Sequence, residues 1–274
     1  MGYDLHTHST YSDGSLKPQE LIQKAVKSGL DGIALTDHDT VSGIEEAVDE
    51  SVKYQFTFLP GIELTTDFGD LEVHILGYNL DYHNPVLLRK LDLILESRDE
   101  RARLIIKKLN KARIPLSWEK VKAETTSRFI GRAHIYRALQ VSGLISMSHG
   151  REAFGYYLGK SGLAYVPHRE IETFEAIALV IETGGVPVLA HPGRMADDQL
   201  IAKLVKKGLQ GIEAYYPTHT SEQTDRYLKL AAKYGLIVTG GSDYHGAFSQ
   251  SKLGDGQVKD IMNWFHPKIS IKNL

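Results

Sequence analysis

The chain has 274 residues, 42% of them hydrophobic and 24% charged, the make-up of an ordinary globular protein with room for one barrel-sized domain or two smaller ones. Its formal net charge of −2 excludes a global field that would draw it to nucleic acid or to an anionic membrane. It has no cysteine, which excludes disulfides and thiolate metal sites, so any metal must be held by His, Asp or Glu.

The first segment, residues 3–6, reads as a short strand, with no basic and apolar leader before it. No apolar run approaches a membrane span, and a cytoplasmic location is expected. Residues 18–28 are amphipathic, with Leu21, Ile22, Ala25 and Val26 on one face, Pro18 in the first turn and Gly29 as the stop. Residues 32–36 form a buried strand and 42–54 a second helix. Strands at 56–65 and 71–78 flank a turn at Gly69 and Asp70. From 82 to 166 only helices are expected, at 85–111, 117–124, 132–142 and 150–160. Alternation then resumes: helices at 171–183, 197–207 and 221–234 alternate with strands at 186–190, 211–215 and 236–240. The pattern predicts an α/β fold in which one β/α domain (residues 1–81 and 167–274) is interrupted by a helical insertion (82–166). Strands that alternate with helices favour a parallel sheet, closed or open.

The chemistry lies where strands end. The first ends in Asp4-Leu5-His6-Thr7-His8, and residues two apart on a strand face the same side, so His6 and His8 can address one point. Asp13 follows in a loop. Later strand ends carry Asp37-His38-Asp39, Glu63, His191 and the pair Asp243 and His245, while His74 lies within the 71–78 strand. In β/α barrels the loops after the strands form the active face. Strand ends are often polar simply because they meet water. That explanation gives no reason for histidine in or just after five separate strands, in segments that also carry carboxylates. Histidine and carboxylate together suit Mn, Fe or Zn.

The DLHTHS opening with Asp13, TDHDT, GIE, VHILGY, AHPGR and the late GSDYH together resemble the PHP (polymerase and histidinol phosphatase) family over residues 2–80 and 168–250. A helical insertion after VHILGY is similar to a branch of small stand-alone phosphoesterases that act on nucleoside 3′,5′-bisphosphates, nucleoside monophosphates or the 5′ ends of short RNAs. The resemblance implies a distorted (β/α)₇ TIM-like barrel holding two or three divalent ions. By the same resemblance the first ion takes His6, His8, Glu63 and Asp243, and the second takes Asp13, His38 and His245. The third takes Glu63, His74 and His191, so that Glu63 bridges. The reaction implied is hydrolysis of a phosphate ester by metal-activated water. A small nucleotide or short RNA is the expected partner, with no duplex DNA and no membrane.

Arginine is the natural phosphate clamp, and two candidates stand out. Arg194 follows His191 in HPGR. Arg132 and His134 lie in Gly131-Arg132-Ala133-His134 of the insertion, which the resemblance implies reaches over the site to hold a substrate phosphate. His134 is alternatively a proton donor to the leaving oxygen. Either Asp37 or Asp39 is expected to hydrogen-bond a ligand histidine, or Asp39 to cap a helix. Glu213 lines the site or is structural. His83, His149, His168, His219 and His266 lie outside any ligand motif. The basic stretch Arg98, Arg101, Arg103, Lys107, Lys108, Lys111 and Arg113 reads as a solvated helix face. Three rival readings stand beside the main one: a histidinol-phosphate-type phosphatase, an amidohydrolase-type metalloenzyme, and a metal-binding module without activity.

Overall fold

A computed structural model describes residues 2–146, 150–167, 170–195, 197–249 and 251–261. Seven strands form one sheet in sequence order: β1 (Tyr3–Asp4), β2 (Gly32–Leu35), β3 (Thr57–Phe68), β4 (Leu71–Tyr78), β5 (Val186–Leu189), β6 (Gly211–Tyr215) and β7 (Ile237–Gly240). The first and last strands meet through their extensions, where Leu5 N donates to Gly240 O at 3.1 Å and His8 N to Tyr244 O at 2.9 Å. The sheet is thus a nearly closed barrel, as expected. It is not wholly parallel, because β4 runs antiparallel to both neighbours while the remaining neighbours pair in parallel. Only two residues separate β3 from β4, and so short a link can join strands only as a hairpin. Gly69, at φ +60, supplies the left-handed turn conformation. The hairpin overruns the barrel: β3 reaches Phe68, three residues past the expected end.

Helices α1 (Pro18–Lys27) and α2 (Ile44–Lys53) cover the first strands. Leu21, Ile22 and Ala25 of α1 pack on Ile33 and Leu35 of β2, as the periodicity predicts. After the insertion come α7 (Thr173–Glu182), α8 (Asp198–Lys206) and α9 (Ser221–Tyr234). Asp197 caps α8 by accepting from Gln199 N and Leu200 N, and Thr220 with Gln223 forms a capping box on α9. Leu200, Ile201 and Leu204 then close over Leu189 and Ile212.

Between β4 and α7 lie α3 (Pro85–Lys111), α4 (Trp118–Lys122), α5 (Arg132–Val141) and α6 (Gly150–Leu158). The first half of α3 packs on the barrel, Leu87, Leu91 and Ile94 joining Ile62, Leu64 and Val180. Its second half supplies Ala102, Ile105, Ile106 and Leu109 to a separate cluster with Val121, Ile135, Leu139 and Leu158. The basic stretch of α3 is therefore not one solvated face, since Arg98 and Arg101 are buried. Arg98 Nε donates to Asp39 Oδ2 at 2.6 Å, and Arg101 Nε to Val166 O at 3.0 Å. Among the described residues no helix is long and apolar enough to cross a membrane.

Gly241, directly after β7, packs against the first strand's extension where the barrel closes: a Cβ there would lie 2.4 Å from His6 Cβ. Gly241→Ala should cost about 1–3 kcal/mol of stability. The expected result is a lower urea midpoint with an unchanged denaturant slope; an unchanged midpoint would mean that this end of the barrel is looser than described.

Candidate metal centre

Buried carboxylates set the loops that carry the candidate ligands. Asp4, at the end of β1, accepts from Ser242 N at 2.9 Å and Ser242 Oγ at 2.6 Å, which draws Asp243 and His245 beside His6 and His8. Asp37 accepts from Ser9 N, Ser9 Oγ and Ser12 Oγ, and so shapes the loop that leads to Asp13. Asp39 accepts from Thr65 N at 3.0 Å and is paired with Arg98. Neither Asp37 nor Asp39 bonds a histidine. That part is taken by Glu213 of β6, which contacts His6 Nδ1 at 3.0 Å and accepts His191 N at 2.7 Å. With a proton on Nδ1, His6 presents the Nε2 lone pair inward. The sequence signal for Glu213 is a charged residue inside an otherwise apolar strand, GIEAY.

All nine expected ligands converge. Fully buried Glu63 is the centre. Its Oε2 lies 3.2 Å from His6 Nε2, 3.3 Å from His8 Nε2 and 3.1 Å from His38 Nδ1. Its Oε1 lies 2.7 Å from His74 Nδ1 and 3.0 Å from His191 Nε2. Three overlapping groups have ligand atoms within 4.8 Å of one another: His6, His8, Glu63 and Asp243; His8, Asp13, His38 and His245; His38, Glu63 and His74. The first is the set expected for one ion. The second adds His8 to the expected set. The third has His38 where His191 was expected, while His191 meets the same Glu63 oxygen as His74. Two of these residues sit in strained backbone, His191 at φ +27 and Asp243 at φ +52.

Five atoms of this cluster, His6 Nε2, both ring nitrogens of His8, Asp13 Oδ1 and Glu63 Oε2, are buried without a hydrogen bond. Buried polar atoms are rarely left so, since each costs about 1–3 kcal/mol. Converging imidazole nitrogens and carboxylate oxygens are the donor set of a divalent cation such as Mn, Fe or Zn, and the residues fit such ions.

The cluster is electrostatically strained. Burial pushes the His8 imidazole down, but Asp243 and Glu63 outweigh it and raise it to about 10. His74 rises to about 9 against the same burial, through Glu63 and Glu72. At His38 burial prevails over Glu63 and Asp13, and the imidazole falls to about 3. Burial opposes ionisation of Asp13, Glu63 and Asp243 too, yet surrounding imidazoles hold all three well below the usual carboxylate range.

Beside the cluster is a cavity of about 550 Å³, lined by Asp13, Asp243 and His245 and by Arg137, Arg194 and Phe248. Arg194 lines this cavity, donating through Nη2 to Asp243 Oδ2 at 3.1 Å and to Tyr216 Oη. Arg132 is not on the cavity wall. Its Nη2 donates to both oxygens of Glu72 at the hairpin tip, at 2.7 and 2.8 Å. His134 is buried, its Nδ1 accepting from Gly131 N at 3.1 Å, and burial lowers its imidazole to about 4. Helix phase explains the difference: Ala133 and Arg137, four apart on α5, face the cavity, and Arg132 is one residue out of register. His83 meets Glu45 at the surface, and His219 braces the His191 turn by accepting from Gly193 N. His149, His168 and His266 lie outside the described residues.

Seven strands closed around a histidine–carboxylate cluster define a metal-dependent phosphoesterase barrel. The chain belongs to the PHP domain family, whose model matches residues 4–238. It is 32% identical to the 5′-3′ exoribonuclease Rnm of Escherichia coli over 92% of this chain and 88% of the relative. It is 34% identical to a 3′,5′-nucleoside bisphosphate phosphatase of Chromobacterium violaceum (88% and 86% covered). A phosphoribosyl 1,2-cyclic phosphate 1,2-diphosphodiesterase of Eggerthella lenta is 32% identical (90% and 95% covered). A solved Bifidobacterium adolescentis structure assigned to the metal-dependent phosphoesterases superposes with a TM-score of 0.88 at 33% identity, covering 95% of this chain and 93% of that one.

Two outcomes follow for the cluster. With His8 and His74 raised to about 10 and 9, both carry protons at neutral pH, and a cation must expel them. Metal binding should release protons and weaken as pH falls; calorimetry in buffers of different ionisation enthalpy reads this, and buffer-independent heats would contradict it. Glu213→Gln should weaken metal binding about 10–100-fold in a chelator-competition titration, with the fold retained by circular dichroism.

Proposed function

We propose that this chain hydrolyses phosphate esters of nucleotides: nucleoside 3′,5′-bisphosphates, nucleoside monophosphates or the 5′ ends of short RNAs. Residues 1–81 and 167–274 form the catalytic barrel, and residues 82–166 form a cap over substrate. His6, His8, Asp13, His38, Glu63, His74, His191, Asp243 and His245 hold two or three ions of Mn, Fe or Zn. The observation that carries the reading is the cavity of about 550 Å³, lined both by the candidate ligands Asp13, Asp243 and His245 and by the guanidinium groups of Arg137 and Arg194. Such a volume suits a whole small organic ligand, and guanidinium forks suit phosphate oxygens. The names of the three relatives support the same class, since each is an activity on a phosphate ester of a ribose-containing molecule.

Divalent ions held at these residues supply Lewis acidity that makes water nucleophilic near neutral pH and offsets phosphate charge. The protein's own groups do the rest. Arg194, anchored by Asp243 and Tyr216 Oη, turns its remaining N–H donors to the phosphate. Arg137 takes the clamp role expected of Arg132, whose guanidinium is engaged by Glu72. Burial with Asp243 nearby keeps the Tyr216 hydroxyl protonated, so that it donates to Asp243 Oδ2 at 2.8 Å and holds that carboxylate in place. His134, neutral at working pH, positions the start of α5 instead of donating a proton.

The test is phosphate release by Mn-loaded protein across bisphosphates, mononucleotides, 5′-phosphorylated RNA, cyclic phosphodiesters and histidinol phosphate. Nucleotide turnover that is lost with chelator is expected. Glu63→Gln should lower kcat about 100-fold or more, and Arg194→Ala should act mainly on KM. Turnover that survives chelation, or amide cleavage in place of phosphate release, would refute the reading.

A further inference from the structure

Phe248 is a large apolar side chain, 53% exposed, at the edge of the same cavity. It stands three residues after His245, at the end of a short 3₁₀ turn, Gly246–Phe248. That turn is pinned to the loop after Asp13. Ser15 N donates to His245 O at 3.1 Å, and Ala247 N donates to Ser15 Oγ at 2.7 Å. Gly246, at φ +70, packs so closely that a Cβ would lie 2.0 Å from Ser15 Oγ. From the insertion, Arg137 completes the brace: Nη1 donates to Asp13 O at 3.1 Å, and the guanidinium lies over the Phe248 ring, 4.2 Å from its centroid. The ring, the cation behind it and the residues Asp13 and His245 are thus joined by one set of contacts.

Single exposed apolar residues are common on protein surfaces. This one differs because its backbone is held by hydrogen bonds to Ser15, one ring face is backed by the half-buried Arg137 guanidinium of α5, and the ring lies beside a cavity that two arginines line. An aromatic plane beside a cavity lined by two guanidinium groups is the combination that binds a base and its phosphate together. Resting on the nucleotide phosphoesterase reading above, we propose that Phe248, backed by Arg137, is the stacking platform for the nucleobase of the nucleotide whose phosphate enters at Asp13 and His245. Stacking uses the π face that every base has, so the platform selects nucleotides over base-free sugar phosphates and discriminates little among bases.

The experiment compares kcat/KM for a nucleoside 3′,5′-bisphosphate with that for ribose 3,5-bisphosphate, its base-free counterpart, in the Mn-loaded wild type, F248A and F248W. The ratio of the two values should fall about ten-fold in F248A, through KM, and be restored in F248W. The fluorescence of the indole introduced by F248W should be quenched by the nucleoside bisphosphate and not by the sugar bisphosphate. A wild type active on both compounds, with a ratio that F248A leaves unchanged, overturns the platform alone. A wild type that releases phosphate from neither compound, nor from any other nucleotide, overturns the functional reading and the platform with it.

Discussion

One carboxylate organises this molecule. Glu63 is fully buried, and five imidazoles surround it, all within 3.3 Å. Taking an ionised carboxylate out of water costs several kcal/mol unless opposite charge and hydrogen bonds replace the water. Here the replacement comes from residues far apart in the chain, from the loop after β1 to the turn after β5. The barrel provides what a single helix or hairpin does not: strand ends that deliver side chains from many directions to one point. The same crowding means that protons and divalent cations compete for one set of lone pairs.

Much of this arrangement is readable in the sequence. His-x-His after a strand, and histidines repeated at successive strand ends, identify residues that meet in space without any knowledge of the sheet. The hairpin around Gly69 is equally visible, though not that β3 would overrun the barrel and present Glu72 to the insertion. What escapes is whatever depends on phase or on a distant partner. Arg132 and Arg137 lie on the same helix, and a shift of one residue decides which of them faces the cavity. Arg98 is indistinguishable in sequence from its solvated neighbours, because its partner Asp39 is 59 residues away. Glu213 stands out only once a strand is known to be buried on both faces.

The insertion also braces the cluster. Arg98 pairs with Asp39 and lies over the Phe129 ring, 4.6 Å from its centroid; Phe129 in turn stacks on His38 at 5.9 Å. The His38 imidazole is driven down by burial to about 3, while neighbouring carboxylates raise His8 and His74 beside it. Its orientation is set on one side by Glu63 and on the other by a layer that the insertion supplies. Helices packed outside the barrel thus reach into the same contacts that hold the strand ends in place.

The reversal of β4 has a geometric consequence. A parallel strand would leave the chain at the end of the barrel where the cluster sits. β4 instead descends, its last residue Tyr78 pairing with Val186 at the start of β5, so the chain emerges at the far end. A cap built from there must climb back. At 1.5 Å per residue, the 27 residues of α3 span about 40 Å. Along that length the helix passes from barrel core at Leu87 and Leu91, past Arg98 at the rim, to the separate core at Ile105 and Leu109. Helix α3 is a strut whose length is dictated by the depth of the barrel beneath it. One turn more or less would shift everything mounted beyond it by about 5 Å, nearly the diameter of the ring that Phe248 presents.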